Sequence, residues 1–314
     1  MIRGIANRNK GTRSAPTRLR VFALALLAAA QAFLLAACSG GDEATGPDAP
    51  ATPLIYEIAG PDGAVRGWLF GTIHALPDGT RWRTPAIERA IEEAGMLMVE
   101  IADLEDRAGI AATFGELAAT PDLPPLSQRI VPGLRSELST LMDEAGISER
   151  ETTRIETWAA ALMLARVQAD GSAANGVDRA VIADFAGRDV RELEGARAQL
   201  AIFDRLTEED QRDLLREVVA GTVEIGADPA ALRRAWLAGD EAALVEAATS
   251  GILADPGLHE ALLAERNRAW LGPVVTELES GARPLVAVGA AHVVGPEGLV
   301  GLIEAEGYRV RRLR

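Results

Sequence analysis

Cysteine is almost missing: the 314 residues contain one, Cys38. An internal disulfide and a zinc site built from Cys are therefore excluded. Histidine is nearly as scarce, with three in the chain, His74, His259 and His292. The sequence holds no His-Glu-x-x-His, no Gly-x-Ser-x-Gly and no phosphate-binding Gly loop. Zinc-helix proteases, serine hydrolases and nucleotide enzymes with those signatures are disfavoured. Basic residues are the minority, 32 Lys and Arg against 46 Asp and Glu, for a net charge of −14. That balance argues against nucleic acid and against anionic lipid head groups as partners. Aromatics make up only 4% of the chain, and the abundance of alanine favours helices.

Most of the positive charge at the N-terminus lies in one stretch. Arg3, Arg8, Lys10, Arg13, Arg18 and Arg20 come with no acidic residue, and Val21 to Ala37 is then apolar apart from Gln31. The run closes on Leu35-Ala36-Ala37-Cys38, followed by Ser39-Gly40-Gly41-Asp42. That order is a secretory signal. The sole cysteine stands where a bacterial lipoprotein is cut and acylated, so the segment resembles a lipobox. A plain signal peptide or a short membrane anchor is the alternative, since the run of 17 residues is at the low limit for a span. The expected organisation is a signal peptide over 1–37, a lipidated Cys38 with a flexible tether over 38–53, and a folded region over 54–314. Cleavage would leave the chain six charges more negative. Ser39 after the Cys, rather than Asp, points to the outer membrane, with the fold on the periplasmic side.

Two stretches organise the folded region. Trp68-Leu69-Phe70-Gly71-Thr72-Ile73-His74 runs from apolar residues into Gly-x-x-His, and Leu285-Val286-Ala287-Val288-Gly289-Ala290-Ala291-His292 does so again. Around them the pattern predicts strands at 54–58 and 65–70, joined by the turn Gly60-Pro61-Asp62-Gly63. A helix starts at the Thr84-Pro85 cap, with Ile87, Ala90, Ile91 and Ala94 as its stripe. Met96 to Val99 reads as a buried parallel strand. A mostly helical insertion covers about 104–175, and a short strand covers 189–194. A helical segment covers about 196–280, with a cap at Asp228-Pro229 and a long helix from Pro256 to Ser280. A strand at 284–288, a helix near 297–306 and a strand at 308–313 close a β-α-β unit. The fold class expected is α/β: a central mixed, largely parallel sheet surrounded by helices.

His74, Glu100, Glu194 and His292 each fall at or just beyond the carboxyl end of an apolar strand. Ligands bind at that edge of α/β sheets, because helices cover the faces and the strand-end loops are free to carry chemistry. Two imidazoles and a carboxylate are a sufficient ligand set for Zn²⁺, Mn²⁺ or Co²⁺, and such an ion can activate water. Each piece has a plainer reading as well. A strand-end histidine is often a satisfied loop residue, Glu194 and Asp178 can cap helices, and Arg266 can form an exposed ion pair. His259 falls on the polar side of its helix and reads as solvated.

With these residues in view, the chain resembles the TraB/GumN family. The resemblance rests on Leu69 to Pro77, Val99-Glu100, Gly176-Val177-Asp178, Glu192-Leu193-Glu194 with Gln199, Trp236 with Gly239-Asp240, Glu265-Arg266-Asn267 with Trp270, and Val286 to His292 with Gly295. Many relatives carry Lys-Pro-Trp where this chain has Glu156-Thr157-Trp158. The family includes the Tiki proteins, membrane-tethered metal-dependent proteases, and the wider fold is similar to that of erythromycin esterases and haem-binding ChaN proteins. The resemblance implies a divalent metal at His74 and His292 with Glu100 as ligand or general base, and a peptide or protein substrate. Arg266 or Asn267 would stabilise an oxyanion, and Asp178 and Glu194 would orient the imidazoles. It leaves two alternatives open, a protein that binds haem, metal or peptide without chemistry, and a metal-free esterase.

Overall fold

The computed structural model describes residues 50–168, 170–224 and 230–314. The basic and apolar leader, Cys38 and the Asp228-Pro229 pair lie outside the described residues. No described helix is long and apolar enough to cross a membrane.

Six strands form one sheet: β1 (Ile55–Ala59), β2 (Val65–Thr72), β3 (Met96–Val99), β4 (Asp189–Glu192), β5 (Pro284–Gly289) and β6 (Arg309–Arg312), in the order β4-β3-β5-β2-β1-β6. β4, β3, β5 and β2 are mutually parallel, and β1 runs against both β2 and β6. The sheet is thus mixed and largely parallel, with helices around it. β3 and β5 are buried at every position, as their unbroken apolar runs require of strands covered on both faces. The edge strands β4 and β6 are polar and partly exposed, and charge on an edge discourages further pairing. The β-α-β unit at the C-terminus exists, but β2 and β1 lie between its two strands.

The polypeptide enters the sheet at the edge where β2 ends. Ile55 lies opposite Phe70, and the Gly71 amide donates to the Leu54 carbonyl at 2.9 Å.

Helix α1 (Pro85–Glu93) starts as its sequence predicts. Thr84 accepts from the Ile87 amide, and Ala86, Ile87, Ala90 and Ile91 are buried. Each fully buried isoleucine is worth about 1.5–3 kcal/mol. The insertion is helical at Arg107–Leu117, Arg135–Ala145 and Thr157–Ala165. There Trp158 is fully buried and stacks on Phe203. Five further helices place the site: α2 (Val177–Asp184), α3 (Gly195–Asp204), α4 (Ala231–Ala238), α5 (Glu265–Ser280) and α6 (Ala290–Val293). The expected helix over 256–280 is divided. A helical turn at Pro256–His259 passes into a π-helical turn at Glu260–Ala264 before α5 begins. A π turn inserts one residue into the helix and re-aims the side chains beyond it, here Arg266 and Asn267.

Candidate active site

The two Gly-x-x-His stretches end adjacent parallel strands, with Thr72 paired to Gly289 across β2 and β5. Glycine is needed at both turns for close approach. A Cβ on Gly71 would stand 3.2 Å from the Ala290 Cα, so its absence lets α6 seat against β2. A Cβ on Gly289 would meet His74 Nε2 at 3.2 Å, Glu100 Oε1 at 3.4 Å and His292 Cδ2 at 3.7 Å. The space over the Gly289 Cα is therefore where both imidazoles and the carboxylate converge.

Each side chain is held by a specific partner. His74 Nδ1 and Asp178 Oδ2 are 2.5 Å apart, because the Val177 amide donates to the Ile73 carbonyl and so docks the first turn of α2 beside the His74 loop. With Nδ1 engaged, Nε2 is the nitrogen left to face Glu100. The Glu100 carboxylate accepts from the Gly289 amide at 2.8 Å, from Arg266 at 2.6 Å and from Gln199 at 3.4 Å. Arg266 also donates through two nitrogens to Glu194, to the Leu262 carbonyl at 3.0 Å and to His292 Nε2 at 3.0 Å. His292 Nδ1 lies 2.7 Å from Asn267 Oδ1. The Asn267 amide nitrogen is committed to the Glu297 carbonyl, so Oδ1 is the end that faces the ring. Glu194 occupies the N-cap position of α3 without capping it, and its carboxylate turns to Arg266 instead.

Residues 54–312 match the TraB/PrgY/gumN family. The chain belongs to that family. No curated protein and no solved structure matches it.

In this TraB/PrgY/gumN chain all seven residues singled out in the sequence for the site, His74, Glu100, Asp178, Glu194, Arg266, Asn267 and His292, lie in one connected cluster. The lipidation residue Cys38 is outside the described residues. His259 is not simply solvated: it is part-buried and pairs at 2.9 Å with Glu297, which lies in the loop after α6. Two cluster members were missed as site residues. Trp270 lies one turn after Arg266 on α5, its ring 4.5 Å from the His292 ring and 4.7 Å from the Arg266 guanidinium. The i, i+4 spacing was the available signal. Gln199 was marked only as one of the residues that carry the family resemblance, and the docking of α3 brings it to Glu100.

Electrostatics divides the two imidazoles. Burial opposes charge on His74, but the Asp178 carboxylate, by charge and hydrogen bond, and then Glu100 outweigh it and raise its pKa above 6.5. For His292 burial and the Arg266 charge act together, and its pKa falls to about 3 despite Glu100. Burial would raise the Glu100 pKa, yet Arg266, both imidazoles and the Gly289 amide hold it down to about 2. Glu194 is pushed up by burial, which Arg266 only partly offsets. The site thus holds a proton-accepting imidazole, an ionised carboxylate, a buried cation and a neutral imidazole.

This donor set does not fit a divalent ion held by two histidines as the side chains stand. His74 Nε2 and Glu100 Oε1 face the common space, but both His292 nitrogens are engaged, by Asn267 and by Arg266. The guanidinium adds a positive charge at the same point. A metal would require Arg266 to leave His292.

Proposed function

We propose that this protein is a hydrolase that attacks a carbonyl with water activated by the Asp178–His74 pair. The observation that carries the reading is the 2.5 Å contact between Asp178 and His74 Nδ1, which leaves Nε2 toward the space over Gly289. An imidazole oriented by a carboxylate at one nitrogen is a general base at the other. Arg266 is the buried cation beside that space, and with all five N–H groups engaged it would release one partner to donate to a developing oxyanion. His292 and Trp270 hold that guanidinium in place.

The substrate class we favour is a peptide, as the family resemblance implies, and the setting we favour is the periplasmic side of the outer membrane, with the lipid on Cys38 as the membrane contact. The lipobox-like run into Cys38 supports the setting.

The second reading is the metal-dependent peptidase. It is favoured by the convergence of His74 Nε2 and Glu100 Oε1 within 3.4 Å of one point, and it requires the rearrangement of Arg266 described above. Assays on peptide and ester libraries, with and without chelator, separate the readings. Turnover that survives chelation in protein free of stoichiometric metal supports the His74 base. Turnover lost on chelation and restored by Mn²⁺, Co²⁺ or Zn²⁺ replaces it with the metal mechanism. A retained ligand with no turnover in any assay means a binding protein.

A further inference from the structure

Thr72 is the last residue of β2, two before His74, and it is fully buried. Its hydroxyl has no hydrogen-bond partner among the described residues. Buried hydroxyls are nearly always paired, because leaving one unpaired forfeits its hydration with nothing in return.

The sheet register says to which face this side chain points. Thr72 pairs with Gly289 in the parallel β2–β5 ladder, and paired residues project to the same face of a sheet. The direction a Gly289 side chain would take is the one that meets His74 Nε2 and Glu100 Oε1. The Thr72 side chain therefore rises on the same face as that space, on the neighbouring strand. The residues before it on this face, Phe70 on β2 and Ala287 on β5, offer no polar side chain. Several converging hydrogen-bonding groups are the setting in which an ordered water is held.

We propose that Thr72 is the positioning residue for the attacking water, which its hydroxyl and His74 Nε2 hold together over the Gly289 Cα. The proposal rests on the hydrolase reading above. In the step it serves, the water oxygen bonds to the substrate carbonyl carbon as its proton passes to His74 Nε2. The carbonyl π pair moves onto oxygen, beside Arg266. Collapse of that intermediate breaks the bond to the leaving group, which takes the proton back from His74.

The test compares the wild-type protein with Thr72→Val, which keeps the shape and removes the hydroxyl, and Thr72→Ser, which keeps the hydroxyl. High-resolution crystal structures should show a water bonded to both Thr72 Oγ1 and His74 Nε2 in the wild type and the serine variant, and none in the valine variant. On any substrate the wild type turns over, Thr72→Val should lower kcat about a hundredfold through misplacement of the nucleophile, with KM nearly unchanged and no fall in Tm. Thr72→Ser should recover most of kcat. An active wild type with no water at that point, or a valine variant with wild-type kcat, overturns the role of Thr72 and leaves the hydrolase reading standing. A wild type that holds the water yet turns over no substrate overturns the hydrolase reading, and the nucleophilic role with it.

Discussion

Arg266 donates to His292 Nε2 at 3.0 Å, and a guanidinium has no lone pair to offer in return. His292 Nε2 must then be the acceptor, and the ring proton must sit on Nδ1, facing Asn267 Oδ1. The two partners together specify one neutral tautomer. Nitrogen NMR of labelled protein should show His292 as the neutral Nδ1–H form from pH 8 down through pH 5. Asn267→Asp should disturb that signature, since it places a carboxylate against Nδ1.

The same pair of imidazoles shapes stability against pH. His292 titrates near 6.5 when unfolded and near 3 when folded. Its contribution is complete above pH 6.5 and is lost as pH falls toward 3. His74 behaves in the opposite sense. Its folded pKa is raised, so its contribution is complete below pH 6.5 and is lost as pH rises through the folded value. Stability should therefore peak near pH 6.5, and each of the two groups tilts its own limb by at most about 1.4 kcal/mol per pH unit. Urea unfolding across pH 5 to 9 measures this. His292→Gln should flatten the acid limb over pH 5 to 6.5, leaving the alkaline limb in place.

Catalysis by His74 requires its neutral form. Because Asp178 and Glu100 raise its pKa, kcat/KM should rise with pH along a limb with its midpoint above 6.5. Asp178→Asn should move that midpoint to lower pH while lowering the plateau, because the ring loses its charge partner and its orienting contact. A limb that stays in place in Asp178→Asn assigns the ionisation to another group.

Arg266 neutralises two buried carboxylates. Arg266→Ala leaves Glu100 and Glu194 facing each other without a cation, a change that costs roughly 3–5 kcal/mol. Adding Glu194→Gln should restore part of that loss, measured by denaturant unfolding of the single and double variants. Equal stability of the two would mean that Glu194 is already neutral once Arg266 is removed.

Gly289→Ala probes the space directly. The added methyl would press on His74 Nε2 and Glu100 Oε1 at 3.2 Å and 3.4 Å, and no positive φ is involved at this position. Turnover should fall by a factor of about a hundred or more, while Tm changes by only a few degrees. A fully active Gly289→Ala variant would move the reacting atoms elsewhere.

Much of this arrangement was legible before any coordinates. Strand-end placement alone drew His74, Glu100, Glu194 and His292 to one rim, because parallel strands share a direction and so share an active edge. Asp178 and Arg266 were open between a site role and a helix cap or surface ion pair, and Asn267 came with Arg266 on the same helix. The hydrogen-bond partners were not legible. Whether Arg266 meets a substrate, a solvent-exposed acid or His292 depends on the π turn at Glu260–Ala264, and one extra residue in a helix leaves no mark in composition or periodicity. Thr72 escaped for a different reason. A threonine at the end of a strand is ordinary, and only the lack of a partner for its hydroxyl sets it apart.

β1 runs against its neighbours, so the polypeptide comes into the sheet at the rim where Gly71 turns. An anchor on the preceding residues would leash the crevice on that side. If Cys38 carries the proposed lipid, the stretch from Cys38 to Pro50, at most about 3.6 Å per residue, would set a short radius within which the crevice can meet a substrate. An immobilised N-terminus would make this protein a short-range tool, serving molecules that pass close to its own mooring.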